Sequence, residues 1–338
     1  MSKTVGEFEL IRRFFMQHQP HPSVVLGNGD DAALLQAAPG QVLAVSTDML
    51  VQGRHFFADV DAYALGHKAL AVNLSDMAAM GAQPVALTLA LALGAEQQRA
   101  EWLQAFAAGL FDMARAHGCV LVGGDTTAGP LNVCITIMGE VPPLQALKRS
   151  GAQVGDDIYV SGDLGGARVA LEALRSGWDL NPQHAVLLSC RERLERPQPR
   201  VPLGLALRGV AHACADVSDG LLADLGHILQ ASGVSAQLYV EALLNSPACH
   251  ASVRGLPLQH ALTALLAGGD DYELVFTAPA SQRAAVDALQ TSLGLLLTRI
   301  GQVLPAPPAG PHCELVNAQG QPFELPAGVA LKGFDHFA

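Results

Sequence analysis

Apolar segments with the length of buried strands alternate with longer apolar segments of helical periodicity along most of the chain. Residues 42–45, 85–93 and 133–141 are typical of buried strands, whereas residues 62–80 and 102–117 favour helices. In such an alternating chain each helix covers one face of a sheet, because neither element can bury its apolar side alone. The pattern therefore predicts an α/β class.

The length of the chain predicts two domains. A single hydrophobic core rarely serves 338 residues. Pro142 and Pro143 follow the last strand of the first series, and a new strand is predicted at 158–161. We therefore place the domains at residues 1–147 and 148–338.

Composition excludes several classes of protein. The formal net charge of −11 argues against binding to nucleic acid or anionic membranes, since Lys and Arg supply most of that affinity. Half of the residues are apolar and 15% are charged, so each domain can bury a core without disulfides or a structural metal.

The cysteines and the apolar runs predict a soluble cytoplasmic protein. The six cysteines are widely spaced and form no Cys-x-x-Cys pair, which is typical of reduced, buried thiols. The longest apolar run, 85–93, is too short to span a bilayer, and residues 1–16 do not resemble a secretion signal.

Aspartates concentrate beside glycines at the predicted ends of strands. Five acidic segments of this kind are predicted as turns: 27–31, 46–48, 123–127, 216–220 and 268–271. Asp and Gly are favoured in any single turn for backbone reasons alone, but five in a chain with few charges indicate a shared role. Carboxylates without the Cys/His spacing of a zinc site suit Mg²⁺, which is held by a few carboxylates together with substrate phosphates.

Asp76 differs from these because it lies inside the apolar helix predicted at 62–80. Burying a carboxylate is costly unless it meets a cation or strong hydrogen-bond donors. Two interpretations are open. Asp76 binds a metal ion, or it forms an ion pair with Lys68, two turns earlier, or with a remote Arg.

Two other features also have a functional and a structural interpretation. The segment 218–220 precedes a helix predicted at 221–231, so its backbone N–H groups either contact phosphate or belong to an ordinary N-cap. His55 is a general base, a phosphate or substrate contact, or a core histidine.

The sequence contains no Walker-type loop, no protein-kinase motif set and no G-x-S-x-G motif, so bound ATP would depend on metal ions.

Ten short motifs occur in a fixed order along nearly the whole chain. They are GEFELI at 6–11, GDD at 29–31, STDML at 46–50, KALAVNLSD at 68–76, MGA at 80–82, GGDTT at 123–127, RSG at 149–151, DVSDGL at 216–221, GGDDYEL at 268–274 and GFDHF at 333–337. Together they resemble the thiamine-monophosphate kinase family. Its superfamily also contains aminoimidazole ribonucleotide synthetase, selenophosphate synthetase and a hydrogenase-maturation protein.

The resemblance implies an α/β (α+β) fold of the two-domain aminoimidazole ribonucleotide synthetase type. The N-terminal domain would bind ATP and Mg²⁺ and would form a homodimer through a mixed sheet, and the C-terminal α/β domain would complete the active-site cleft. The implied reaction is phosphorylation of thiamine monophosphate to thiamine diphosphate by ATP and several Mg²⁺ ions, the last step of thiamine diphosphate biosynthesis.

The resemblance also implies roles for individual residues. The metal ligands would be Asp31, Ser46, Thr47, Asp48, Asp76, Asp125, Asp216 and Asp219. The ATP contacts would be Gly124, Asp125, Arg149 and Ser218, and the substrate contacts would be His55, Asp270 and Leu331. The family often has Glu at the position of Asp270, so the reach is one methylene shorter here. Leu331 stands where some relatives have Trp, and Phe334 is an alternative aromatic contact.

The expected chemistry is direct in-line transfer of the γ-phosphoryl group. Two unit charges ~5 Å apart repel by about 3 kcal/mol at an effective dielectric of about 20, so two anionic substrates call for several divalent cations. A phosphate acceptor is already nucleophilic at neutral pH, and no general base or covalent intermediate is needed. His55 is accordingly a substrate contact.

Two other functions remain as alternatives. A sibling enzyme would use the same ATP and Mg²⁺ framework to activate an amide or carbonyl oxygen, and the acceptor that gives ADP release separates it from the kinase. A non-catalytic nucleotide or metal sensor would need fewer acidic ligands. Selenophosphate synthetase is disfavoured because no cysteine precedes Cys119.

Overall fold

The computed structural model describes residues 7–16, 19–178 and 185–333. The chain divides into two compact units, one of Met1–Met77 with Ala82–Leu144 and one of Ala78–Gly81 with Gln145–Ala338. Within the described residues, no helix combines the length and the apolar character needed to cross a membrane. Phe334 and the residues that follow it in the final motif lie outside the described residues.

The first unit is built on a four-stranded mixed sheet with the strand order β3-β6-β4-β5. Its described elements are α1 (Glu7–Phe14), β1 (Val24–Leu26), β2 (Leu34–Leu35), β3 (Val42–Val51), α2 (Ala62–Ala79, of which the last two residues belong to the second unit), β4 (Gln83–Leu93), α3 (Ala100–His117), β5 (Val120–Ala128) and β6 (Asn132–Val141). β6 is antiparallel to both β3 and β4, and β4 is parallel to β5. The mixed sheet predicted for the N-terminal domain is thus confirmed.

Two strands run through segments that the sequence predicts as turns. Ser46, Thr47 and Asp48 lie inside β3, and residues 123–127 lie inside β5. Each residue of β3 has a partner on β6, so cross-strand pairing outweighs the local preference of Ser, Asp and Gly for turns. The prediction of turns was wrong here, and Asp48 and Asp125 are strand residues.

Helices α2 and α3 approach each other closely through two glycines. A Cβ at Gly66 of α2 would lie 2.0 Å from the carbonyl oxygen of Phe106, and a Cβ at Gly109 of α3 would lie 2.0 Å from that of Tyr63. α2 is apolar and its side chains are almost all buried. The glycine contact therefore fixes how closely α3 can pack against the helix that carries Asp76.

The second unit is built on a six-stranded sheet with the strand order β12-β9-β11-β7-β10-β8. Its described elements are β7 (Asp157–Ser161), α4 (Gly166–Leu174), α5 (Ala185–Glu195), α6 (Val201–Ala206), β8 (Ala213–Asp216), α7 (Leu221–Ser232), β9 (Val234–Tyr239), α8 (Val240–Asn245), α9 (Leu258–Ala267), β10 (Leu274–Ala278), a 3₁₀ turn (Ala280–Gln282), α10 (Arg283–Leu293), β11 (Leu297–Pro305) and β12 (Cys313–Val316). Only the β12–β9 pair of this sheet is parallel. β8 forms one edge, and the loop after it begins the candidate site of this unit.

Replacing Gly109 with Ala should destabilise the first unit by about 1–3 kcal/mol, because the added Cβ would force α2 and α3 apart. The matched control is Gly226→Ala in α7, where a Cβ would meet no atom within 4 Å. That change should stabilise the chain by about 0.5–1 kcal/mol, since Ala favours a helix over Gly. Denaturant unfolding measures both, and equal effects of the two variants would contradict the packing account.

Candidate active site

Ser46, Asp48 and Asp76 meet where β3 packs against α2. Ser46 and Asp48 are two residues apart on β3, so their side chains point to the same face of the sheet. Their partners on β6, Ile137 and Ile135, are buried on that face. Ser46 Oγ donates a hydrogen bond to Asp76 Oδ2 at 2.5 Å, and the carboxyl groups of Asp48 and Asp76 are hydrogen-bonded to each other. Three predicted metal ligands are therefore brought together.

The pKa of Asp48 reflects this contact. Burial, the negative charge of Asp76 and the hydrogen bond to it raise the pKa of Asp48 to about 7. Two carboxylates in contact are costly when both are ionised, unless a cation lies beside them. Hard oxygen donors are the ligands that Mg²⁺ prefers, so these residues fit a magnesium site.

Phosphate oxygens would have to complete such a site. Over the described ranges, no three His, Cys, Asp or Glu side chains converge as a preassembled metal centre. Mg²⁺ is typically held by one or two carboxylates together with substrate phosphates and water. The arrangement suits an ion that arrives with its nucleotide.

The alternative interpretation pairs Asp76 with Lys68. The two residues are eight positions apart in α2, so their Cα atoms are separated by ~12 Å along the helix axis. The buried Lys68 directs its Nζ to the carbonyl oxygen of His55 at 3.3 Å. These contacts place Lys68 beside the turn after β3, whereas Asp76 faces Ser46 and Asp48.

Thr47 and Asp125 lie on the opposite face of the same sheet. Thr47 Oγ1 is 2.8 Å from Thr136 Oγ1 on β6. In the register of the sheet, Asp125 is paired with Ala90 of β4, which is paired with Cys134 of β6. Cys134 is two residues from Thr136, so the side chains of Asp125 and Thr47 point to the same face. β3 and β5 form the two edges of the sheet, and three strand spacings of ~4.8 Å separate them by ~14 Å. Thr47 and Asp125 of one chain are therefore too far apart to bind the same ion.

Gly124 and Asp31 flank the β5 edge. Gly124 has φ 148°, and a Cβ there would lie 1.9 Å from the carbonyl oxygen of Leu89, so no other residue fits without moving the strand. Asp31 is exposed on a loop that Asn28 attaches to β5, since Asn28 Nδ2 donates to the carbonyl oxygen of Leu121 at 2.8 Å.

The hydrogen bonds of His55 define its tautomer. The backbone N–H of Val51 donates to His55 Nδ1 at 2.9 Å. Nδ1 is therefore unprotonated, and the proton of the neutral ring lies on Nε2. A neutral His55 can donate an Nε2–H to an anion, which favours the role of substrate contact over that of general base.

In the second unit, Asp216 is the last residue of β8, and Ser218 and Asp219 lie in the turn between β8 and α7. The N–H groups of Ser218, Asp219 and Gly220 all donate to one oxygen, Asp224 Oδ2, at 3.0, 3.0 and 3.1 Å. Burial raises the pKa of Asp224 to about 7, although these three donors act in the opposite direction. The three amides are thus engaged by a carboxylate of the chain itself, as the N-cap interpretation expects.

Asp270 lies beside this loop in a conformation that few residues adopt. Its N–H donates to the carbonyl oxygen of Ser218 at 2.8 Å. Asp270 has φ 58° and Tyr272 has φ 51°, both in the left-handed region. The Tyr272 hydroxyl donates to Asp270 Oδ1 at 3.3 Å. Strain of this kind persists where the surroundings fix the backbone.

Buried carboxyl groups fix the backbone on either side of Tyr272. Both oxygens of Asp271 accept the N–H of Gly165, at 2.9 and 3.1 Å, and burial raises the pKa of Asp271 well above its usual range. The fully buried Glu273 accepts hydrogen bonds from Arg193 at 2.9 Å and from Arg200 at 2.6 Å. Asp271 and Glu273 therefore shape the loop that presents Asp270.

Leu331 lies on a segment that passes beside Asp219. The N–H of Ala330 donates to Thr263 Oγ1 at 3.2 Å, and a Cβ at Gly333 would lie 2.8 Å from the carbonyl oxygen of Asp219. The structure thus places predicted ligands and substrate contacts of this unit, Asp219, Asp270 and Leu331, around one loop.

Arg149 lies apart from that loop. It is exposed on a turn alongside β8, where the N–H of Cys214 donates to the carbonyl oxygen of Lys148 at 2.9 Å. Ser232, the last residue of α7, donates to the carbonyl oxygen of Arg149. Arg149 therefore neighbours the end of α7, and Asp219 neighbours its beginning.

The residues that sequence reasoning missed are the supporting carboxylates Asp224 and Glu273. Asp224 carries the same signal as Asp76, a carboxylate within an apolar helical segment, and that signal could have identified it. Glu273 lies in the GGDDYEL motif, but the arginines that bind it are distant in sequence. No local pattern predicts that pairing.

We expect the metal-free protein to lose stability as the pH rises from about 4 to about 7. The folded pKa of Asp48 lies above its ordinary value, so protonation of Asp48 stabilises the fold at low pH and this contribution is lost as the pH passes the folded pKa. Asp76→Asn removes the charge of Asp76 and should reduce this loss without abolishing it, because burial of Asp48 remains.

Denaturant unfolding in EDTA across this pH range measures the effect. An Asp76→Asn variant with an unchanged pH dependence would contradict the contact. A variant that is less stable at pH 7 would favour an ion pair of Asp76 with a cationic side chain.

Comparison with known proteins identifies the family of the chain. Its residues 29–141 match the family model of the AIR synthase related protein N-terminal domain, and residues 153–312 match that of the C-terminal domain. A thiamine-monophosphate kinase from Salmonella typhimurium is 43% identical over 98% of each chain.

Solved structures agree with this comparison. The crystal structure of thiamine-monophosphate kinase from Stenotrophomonas maltophilia has a TM-score of 0.79 and 48% identity, covering 89% of this chain and 93% of its own. A structure described as AaThiL complexed with AMPPCP and TMP has a TM-score of 0.72 and 28% identity, covering 89% of each chain. The two-domain fold and the resemblance expected from the motifs are thereby confirmed, and the chain belongs to the thiamine-monophosphate kinase family of AIR synthase related proteins.

Proposed function

We propose that this chain catalyses the ATP- and Mg²⁺-dependent phosphorylation of thiamine monophosphate to thiamine diphosphate. The observation that carries the proposal is the 43% identity to a thiamine-monophosphate kinase over 98% of both chains. AMPPCP, an analogue of ATP that cannot transfer its terminal phosphoryl group, and TMP were bound together to a 28% identical relative. That pair of ligands matches the donor and the acceptor of the reaction.

The reaction is an in-line displacement at the γ-phosphorus of ATP. An oxygen of the acceptor phosphate forms the new P–O bond, and the bond between the γ-phosphorus and the β–γ bridging oxygen breaks, so that ADP leaves. The acceptor oxygen is already anionic at neutral pH and needs no base. The chain must therefore supply charge neutralisation and alignment.

Carboxylates of both units would hold the Mg²⁺ ions. In the first unit these are Asp31, Asp48, Asp76 and Asp125, assisted by Ser46 and Thr47, and in the second unit they are Asp216 and Asp219. When bound, Mg²⁺ neutralises phosphate charge and orients the attacking and leaving oxygens. Gly124, Arg149 and Ser218 would contact ATP, and the exposed backbone beside Gly124 suits close approach of a phosphate.

The remaining contacts would hold the acceptor. His55 can donate its Nε2–H to the acceptor phosphate, because its Nδ1 is engaged by the backbone. Asp270 is half-buried; its backbone N–H donates to the Ser218 carbonyl and its carboxylate accepts from the Tyr272 hydroxyl. This carboxylate is suited to a donor group or positive charge on the organic part of the acceptor. Leu331 offers apolar contact without the stacking that a tryptophan would give.

We also propose that the chain is a cytoplasmic homodimer. All six cysteines are free thiols, consistent with a reducing compartment. The β3 face opposite to α2 exposes Leu43, Val45 and Met49, with Val45 61% exposed. A second copy packed on this face, with its β5 edge beside the β3 edge, would cover these side chains and bring a second Asp125 near Thr47.

With ATP and Mg²⁺, the protein should convert thiamine monophosphate to thiamine diphosphate and ADP, as checked by chromatography of both products. A panel of other phosphorylated acceptors, including aminoimidazole-type precursors, serves as the comparison. Turnover of another acceptor with none of thiamine monophosphate would move the chain to a sibling activity. ATP binding without transfer to any acceptor would favour a sensor.

Val45→Asp should convert the dimer to a monomer near 35 kDa, because a carboxylate would be buried in the apolar contact. Light scattering at micromolar concentration reads the mass directly. Val154→Asp is the matched control, since Val154 is 57% exposed on the second unit, and it should leave the mass unchanged. A wild-type monomer would contradict the dimer without affecting the kinase assignment.

A further inference from the structure

One hydroxyl holds the backbone of the turn that carries Arg149. Ser232 Oγ donates to the carbonyl oxygen of Arg149 at 3.1 Å. It also accepts the N–H groups of Gly151 and Ala152, each at 3.1 Å. A serine hydroxyl has one donor and two acceptor positions, and all three are used on this turn.

The other contacts of the turn lie at its two ends and at Gly151; at the far end, the N–H of Gln153 donates to Asp156 Oδ2 at 2.9 Å. Residues 149–153 belong to no helix or strand, so their backbone groups must find partners elsewhere. The hydrogen bond from Cys214 to Lys148 holds the chain just before the turn. Gly151 has φ 133°, and a Cβ there would lie 2.5 Å from the carbonyl oxygen of His212, so the path of the turn is tightly constrained.

Helix α7 connects this turn to the acidic loop. Asp224 in its first turn binds the amides of the Ser218–Gly220 segment, and Ser232 at its end binds the Arg149 turn. The helix has 12 residues and spans ~18 Å. Ser218 and Arg149, both predicted nucleotide contacts, are thus fixed at opposite ends of one rigid element.

We infer that Ser232 is a positioning residue for nucleoside triphosphate binding, acting through Arg149. This inference rests on the assignment of Arg149 to ATP under the proposed function. A long arginine side chain on a loose turn loses conformational freedom when it binds an anion, and anchoring its backbone beforehand lowers that cost. Without the hydroxyl, three backbone groups lose this partner, and the backbone that carries Arg149 is held less firmly.

Binding of AMPPCP in the presence of Mg²⁺ tests this inference by titration calorimetry, with no turnover and no acceptor required. Ser232→Ala should weaken binding about ten-fold, the effect of roughly one charge-assisted contact. Ser232→Thr keeps the hydroxyl and should restore affinity. In an Arg149→Ala background, Ser232→Ala should cause little further loss, because its effect passes through Arg149.

Ser292→Ala is the matched control. Ser292 lies near the end of α10, where its hydroxyl donates to the carbonyl oxygen of Leu289 at 3.2 Å, and its removal should leave affinity unchanged. Thermal unfolding of each variant verifies that the second unit is folded at the titration temperature.

Three results would overturn the inference: wild-type affinity in Ser232→Ala, a full additional loss in the Arg149→Ala background, or wild-type affinity in Arg149→Ala. Failure of the proposed function would give a different result from failure of this inference. A protein that does not phosphorylate thiamine monophosphate could still show the Ser232 effect on AMPPCP, because the titration contains no acceptor.

Discussion

The contact between the carboxyl groups of Asp48 and Asp76 is the constraint on which the first unit depends. Two carboxyl groups in contact away from water are costly when both are ionised, and burial together with the negative charge of Asp76 raises the pKa of Asp48 to about 7. The contact requires β3 to continue as a strand through Ser46–Asp48 and α2 to lie close above it. Pairing with β6 provides the first condition, and the extended apolar surface of α2, packed on α3 through Gly66 and Gly109, provides the second.

In the second unit, buried carboxyl groups fix the backbone conformation of the acidic loops. Asp224 accepts hydrogen bonds from three backbone amides. Asp271 accepts the N–H of Gly165 and Glu273 binds Arg200, and these contacts hold the segment around Asp270. These buried carboxyl groups satisfy the backbone and the arginines around them, and so hold the segments that carry Asp219 and Asp270. Asp224, Asp271 and Glu273 are buried, whereas their sequence neighbours Asp219 and Asp270 are only half-buried.

Sequence reasoning predicted most of this arrangement, and its errors have physical causes. The helix around Asp76 and the start of α7 were predicted from periodicity, with α7 ending one residue later than expected. Ser46–Asp48 and Gly123–Thr127 were taken for turns because Asp, Ser and Gly favour turns locally, whereas long-range pairing makes them strands. The role of Asp224 and the ~14 Å separation between the edges of the first sheet depend on tertiary contacts that no local pattern contains.

The central claim is that the half-buried Asp76 faces Ser46 and Asp48 because it binds a cation there. The most direct test compares wild type with Asp76→Asn for turnover per folded molecule across a range of Mg²⁺ concentrations. The account predicts a folded variant that loses roughly 10²-fold or more in turnover, since a charge that stabilises the transition state is missing. A variant destabilised by about 3–5 kcal/mol that keeps full activity per folded molecule would show a structural ion pair instead and would contradict the account.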